Sequence, residues 1–196
     1  MATNTPPPFA ATPASASTAS ASSASASIAS TAAIAAELET LGAALASPGQ
    51  PDPIFTAFAG AMQRLVGHQL LTLLYVDGDE VARIFSTRPA EYPLLGRKRM
   101  GPTPWGDHVL RDQRTFFGPD KAAIRWAFFD HELIERMGLG AVINVPCRHD
   151  GAVVGTINLL GPEHCYRAEQ VTPVAALAPL LVPAFLAARA AARKKD

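Results

Sequence analysis

Cysteine is scarce: Cys147 and Cys165 are the whole complement. Two thiols are too few for a disulfide framework and cannot build a four-thiolate metal site. Net charge is lacking too, because 17 basic residues balance 17 acidic ones. A broad polyanion-binding surface needs clustered positive charge, so nucleic acid is not an expected partner. The short basic runs Arg97-Lys98-Arg99 and Arg193-Lys194-Lys195 read as a solvated loop and a helix end favoured by the helix dipole. No run approaches the roughly 18 consecutive apolar residues of a membrane helix, so no membrane contact is expected. Gly-rich phosphate loops, a nucleophile-elbow serine and internal repeats are also missing.

The N-terminal stretch lacks the means to fold. Met1–Thr31 has no Lys or Arg, and from Thr12 onward it is almost purely Ala, Ser and Thr, with Ile28 its only large apolar side chain. Burial cannot offset the entropy of ordering such a segment, so 1–31 is expected to be a disordered tail. Without a basic start, an unbroken apolar stretch or arginines it resembles neither a secretory signal nor a transit peptide, and a cytoplasmic location is expected. A helix and linker over 32–50 and one domain over 51–193 complete the expected organisation.

What is present is strongly periodic. Ile34, Leu38, Leu41 and Leu45 mark a helix with a narrow apolar stripe, ended by Ser47-Pro48-Gly49. Asp52-Pro53 reads as an N-cap followed by proline at the first helical position, opening a helix with Ile54, Phe55, Phe58, Met62, Leu65 and Val66 on one face. Two apolar runs about Asp77-Gly78-Asp79 predict a hairpin. Arg88–Pro104, with four prolines and two glycines, reads as loop. A helical turn near Asp107–Arg111, a short strand over Arg114–Phe117 and helix over Lys121–Met137 with a break near Asp130 follow. Gly140–Cys147 and Ala152–Leu160 then predict a second, fully buried hairpin about Asp150-Gly151. Val174, Leu177, Leu181 and Phe185 share a last helical face, with Pro179 and Pro183 nearly opposite; one bent helix or two remain open. Helix, hairpin, mixed insertion, hairpin, helix implies an α+β sandwich with any pocket roofed by the insertion.

The second hairpin carries a resemblance. Ala141-Val142-Ile143-Asn144-Val145-Pro146, then Asp150-Gly151, then Val153-Val154-Gly155-Thr156-Ile157-Asn158-Leu159 resembles the late hairpin of the GAF domain family. Proline near the strand end, an Asp-Gly turn and a glycine relieving crowding inside the strand are the physical content of that motif. The resemblance spans roughly Pro53–Pro183. It implies an antiparallel sheet of about six strands with N- and C-terminal helices packed on it, a small-molecule ligand, signalling or regulatory work, and a homodimer through terminal helices. Family ligands include cyclic nucleotides, tetrapyrroles and haem. This sequence carries no Asn-Lys-x-Phe-Asp-Glu-like cyclic-nucleotide signature, and neither cysteine stands where a bilin-attaching thiol is expected, so the cofactor is left open. No helix-turn-helix, kinase or cyclase region fits the remaining length.

Candidate ligand-binding residues concentrate in the insertion: Arg88, Tyr92, Trp105, Asp107, His108, Phe117, Asp130 and His131. An apolar pocket with a few orienting polar groups needs this mixture, although the aromatics alone would also serve to pack helices onto the sheet. Asn144 and Asn158 interrupt apolar strands, and buried amides need partners. A two-residue turn pairs Asn144 with Ile157 and puts the amides on opposite faces, whereas a shift of one residue puts both on one face. His108 or His131 as a haem ligand, and a metal site from His131, His149 and His164, have no spacing to support them. The competing readings are a thiol-dependent reductase of the free methionine-sulfoxide reductase type using Cys147 and Cys165, which needs a thiolate and a resolving thiol, and a ligand-free interaction domain.

Overall fold

The computed structural model describes residues 19–194. One antiparallel sheet of six strands, in the order β3-β2-β1-β6-β5-β4, runs through the middle of the fold. Its strands are β1 (Leu70–Asp77), β2 (Glu80–Ser86), β3 (Leu95–Arg99), β4 (Phe116–Gly118), β5 (Ala141–His149) and β6 (Ala152–Gly161). The helices are α1 (Ala19–Ala46), α2 (Asp52–Leu65), α3 (Lys121–Ala127), α4 (His131–Arg136), α5 (Val171–Leu177) and α6 (Val182–Arg193).

Alternation along the strands divides the sheet's residues between two faces. Leu71, Leu73, Ile143, Val145, Ile157 and Leu159 enter the main core with Phe58, Met62, Val174 and Phe185 from α2, α5 and α6. Leu70, Val142 and Leu160 face the other way, against Ile124 and Ile134 of α3 and α4. Terminal helices thus cover one face and the insertion the other.

Gly155 shows how closely the helical layer approaches. A Cβ there would lie about 2.5 Å from the Phe185 ring, which is fully buried. The final segment divides at its prolines: a 3-10 turn over Ala178–Leu181 joins α5 to α6, and Pro179 and Pro183 are exposed while Leu177, Leu181 and Phe185 are buried. By length and hydropathy Ala168–Arg193 also satisfies the requirement for a membrane span, which a search for unbroken apolar runs misses. Its large apolar side chains are drawn into the core instead.

Other expectations need correction. Residues 1–18 of the expected disordered tail lie outside the described residues, but helical backbone begins at Ala19 rather than Ala32. Alanine has the highest helix propensity of any residue, so a segment with nothing to bury still extends a helix nucleated beyond it. The cap of α2 moves back one residue, to Pro51, with Asp52 and Pro53 in the first turn. Arg97-Lys98-Arg99 is not loop but edge strand β3, where Arg97 pairs with Glu80 of β2. A basic run with no apolar alternation gives no strand signal, yet charge on an edge strand discourages pairing with foreign strands. Pro146 lies within β5, tolerated because β4 pairs only with Val142–Asn144.

Ion pairs tie the terminal helices to their surroundings: Glu37 of α1 to Arg64 of α2 at 2.6 Å, and Asp77 of β1 to Arg193 of α6. The Arg64 guanidinium bonds the Glu37 carboxyl and holds its pKa below the ordinary 4.5. A carboxyl more acidic in the folded state contributes fully above its unfolded pKa, and the contribution is lost as pH falls through the lower folded value. Acidification below about 4.5 should therefore loosen α1 from α2, and Glu37→Gln should do so at neutral pH. Amide exchange along Ala32–Ala46 is the measurement. For the sheet, Gly155→Ala should destabilise by about 1–3 kcal/mol through overpacking. Thermal or urea unfolding should show that penalty shrink in a Phe185→Leu background, where the ring is withdrawn.

Candidate functional site

The insertion face of the sheet holds a row of buried polar groups. Asn144 of β5 sits opposite Asn158 of β6, and its Nδ2 donates to Asn158 Oδ1 at 2.8 Å. This is the shifted register, and a bulge between Cys147 and Arg148 produces it. Next to the turn His149 pairs with Ala152 as a two-residue loop requires; beyond the bulge the pairing is moved by one. Asp150 and Gly151 both take positive φ, as such a tight hairpin turn demands. Asn158 Nδ2 in turn approaches Thr72 Oγ1 at 3.2 Å and Thr156 Oγ1 at 3.4 Å, and Trp105 Nε1 donates to Asn144 Oδ1 at 2.9 Å. Every link lies in a dry environment, where a satisfied network is rigid and a broken one costly.

Over this floor lies a cavity of about 100 Å³. Thr72 and Leu74 of β1, Val81 and Arg83 of β2, Leu95 of β3 and Asn158 and Leu160 of β6 form its base. Tyr92, Met100, Thr103, Trp105 and the Ala127–Asp130 link between α3 and α4 form its roof. Trp105 packs on Phe128 at a centroid distance of 6.2 Å, whereas Phe129 at the mouth is 83 % exposed. Tyr92 is anchored from both sides: its hydroxyl donates to Asp130 Oδ2 at 2.7 Å, and the Arg83 guanidinium stacks 3.7 Å from its ring centre. Burial and the Asp130 charge push the Tyr92 phenol well above its ordinary pKa, so it acts as a neutral donor.

Of the residues singled out from sequence, Tyr92, Trp105, Asp130, Asn144 and Asn158 meet at this site. Arg88 does not: it turns to Glu91 and the Met137 carbonyl. Phe117 faces the helical layer, because it pairs with Ile143, and strand parity gives the insertion face to Phe116. His108 lies in a short π-helical turn, Gly106–Arg111, its ring edge-on to Phe116 and Trp126 and its Nε2 3.1 Å from the Thr115 carbonyl. Asp107 pairs with Arg111 in the same turn and lines a separate shallow groove. His131 opens α4 away from the cavity, with its Nδ1 buried and without a hydrogen-bond partner. No group of three metal-ligating side chains forms among the described residues, so His131, His149 and His164 do not converge.

Arg83 is the important omission from the sequence reading. It is only 8 % exposed, donates through Nη1 to the Pro93 carbonyl at 2.6 Å, and keeps its Nε buried without a partner. The rule that singles out Asn144 and Asn158, a polar residue interrupting an apolar strand, applies equally to Arg83 and Thr72. The cysteines lie elsewhere. Cys147 is on the helical face, bonded to the Ala178 carbonyl, with burial pushing its thiol pKa up to about 12. Cys165 is exposed on the loop after β6, its thiol raised as well by partial burial.

A GAF-domain family profile matches residues 50–185. The chain belongs to the GAF domain family. Among solved structures, this GAF domain is similar to that of a Coxiella burnetii phosphoenolpyruvate-protein phosphotransferase, with a TM-score of 0.64 and 14 % identity over 82 % of this chain and 95 % of that one. It is similar to the chromophore-binding domain of a Stigmatella aurantiaca bacteriophytochrome, at TM-score 0.59 and 16 % identity over 80 % and 60 % of the two chains. It is also similar to a Neisseria meningitidis free methionine-R-sulfoxide reductase solved with its substrate, at TM-score 0.52 and 18 % identity over 79 % and 89 %. At these identities the likeness is one of fold. No curated protein sequence matches. The GAF sheet makes one clear prediction: Trp105→Phe leaves Asn144 Oδ1 buried without its donor and should cost about 1–3 kcal/mol in denaturant unfolding.

Proposed function

We propose that this GAF domain is a sensory or regulatory module that binds a small molecule between its sheet and the insertion, and acts by association with itself or another protein. The observation that carries the reading is the roofed cavity, with apolar walls and a few buried polar groups converging on it. At about 100 Å³ it is smaller than the roughly 300–1,000 Å³ of typical ligand sites, so a larger ligand must lift the roof. The roof is built for that, being tied to the sheet by single contacts such as Tyr92 on Arg83 and Trp105 to Asn144.

Association falls to the opposite face. The terminal helices α1 and α6 pack there, and α1 leaves Leu38 half exposed. Strand β6 touches both sides, through Asn158 at the cavity and Gly155 under Phe185 of α6. A ligand that shifts β6 or orders the insertion would thereby bias how the terminal helices meet a partner. The position of both thiols outside the cavity weighs toward binding over thiol catalysis.

Native mass spectrometry of the gently purified full chain, before and after denaturation, tests the reading. A stoichiometric small molecule released on denaturation is expected, and Leu74→Trp, which fills the cavity, should reduce its occupancy at least about tenfold. Retention of the molecule by Leu74→Trp would place it elsewhere, and loss on Cys147→Ser with Cys165→Ser would return the thiols to the site.

A further inference from the structure

Arg83 is held in a way that structural duty alone does not explain. Anchoring the Pro93 carbonyl uses Nη1, and stacking on Tyr92 uses the flat face of the guanidinium. Nε remains buried and unpartnered on a side chain that lines the cavity. Among the described residues no carboxylate lies within 4 Å of the guanidinium, and the nearby Asp130 accepts from Tyr92 instead. A buried cation without a counter-charge is strongly disfavoured, and the usual remedies are a paired anion or a full set of hydrogen bonds. Asp130 acts on Arg83 only from beyond ion-pair distance, and the hydrogen-bond set of the guanidinium is incomplete at Nε.

The cavity is the place from which an anion could reach it. Guanidinium presents a planar fork that suits the two oxygens of a carboxylate. Among the described residues lining the cavity Arg83 is the only cation, and Asp130 adds an opposing charge, so a dianion such as a phosphate ester is poorly served. The remaining walls are apolar: Leu74, Val81, Met100 and Leu160, with Leu95 and the exposed Phe129 continuing that surface to the mouth. One buried positive charge at the base and an apolar path outward describe an amphipathic ligand of single negative charge.

We propose that the ligand of this domain is a small organic monocarboxylate with an apolar body, its carboxylate paired to Arg83 and its body lying along Leu74, Val81 and Leu160 toward Phe129. The inference rests on the small-molecule reading of the same cavity and adds the ligand's chemical class. Pairing would supply the missing acceptor for Nε, and the body would bring Phe129 down over the mouth as apolar surface is buried.

Isothermal titration of the full chain with straight-chain monocarboxylates from butanoate to decanoate, each matched by the primary alcohol of the same length, is the test. At least one acid should bind one to one, and its alcohol should bind roughly tenfold to a hundredfold more weakly, the margin of a charge-assisted hydrogen bond. Arg83→Met should weaken the acid by a similar factor and leave the alcohol unchanged, and Arg83→Lys, which keeps charge but loses the fork, should fall between them. Equal binding of acid and alcohol by the unaltered chain would overturn the carboxylate assignment and leave the small-molecule pocket standing. Silence from every acid, while native mass spectrometry finds another molecule in the cavity, would also overturn it. Failure of both measurements would remove the pocket reading as well. The acid-to-alcohol comparison needs no variant, so a misfolded Arg83→Met protein would not leave the question open.

Discussion

Two amides facing each other across the middle of the sheet set the geometry of the site. Asn144 and Asn158 share a face only because a bulge at Cys147 and Arg148 moves the β5–β6 register by one residue. Strand side chains alternate, so the unbulged hairpin would turn one amide into the helical core with no partner there. The bulge thus joins two requirements: a tight Asp-Gly turn at the hairpin tip and a continuous polar floor at its centre. Trp105, Thr72 and Thr156 complete the bonds of that floor, and the roof over the cavity is anchored through one of them.

The sheet keeps two environments apart. Its helical face is filled densely enough that Phe185 rests on a strand glycine, a contact with no room for a methyl group. Its insertion face is looser, with a cavity, an exposed aromatic at the mouth and buried polar atoms on Arg83, Trp126 and His131 that lack partners among the described residues. Close packing gives the first face rigidity, and incomplete packing leaves the second able to respond to a ligand. Because β6 contributes to both, a change on one side has a short mechanical route to the other.

Much of this was legible in the residues. Apolar periodicity places α2, both hairpins, the α3–α4 break near Asp130 and the outward prolines of the last segment, since each pattern reflects burial of a local face. Strand β3 was not legible, because Leu95–Arg99 is held by pairing with β2 and has no alternation of its own. Five of the ten residues expected at the ligand site converge there. Phe117 misses by strand parity, while Arg88, Asp107, His108 and His131 find other neighbours within the insertion. Arg83 and Thr72 carry the same signal as the two asparagines, a polar interruption of an apolar strand.

The sequence alone determined what local chemistry controls: which segments are helix or strand, where the Asp-Gly turn falls, and the late hairpin of the GAF family. Tertiary structure decided what depends on register and on distance across the fold. The bulge selected between two pairings that the sequence left open, and it put the amides face to face. Contacts between β2, the Tyr92 loop and the α3–α4 link then enclosed Arg83 beside a cavity. Local patterns are set by neighbours a few positions away, whereas a site is made where segments far apart in the chain are brought to the same face of one sheet.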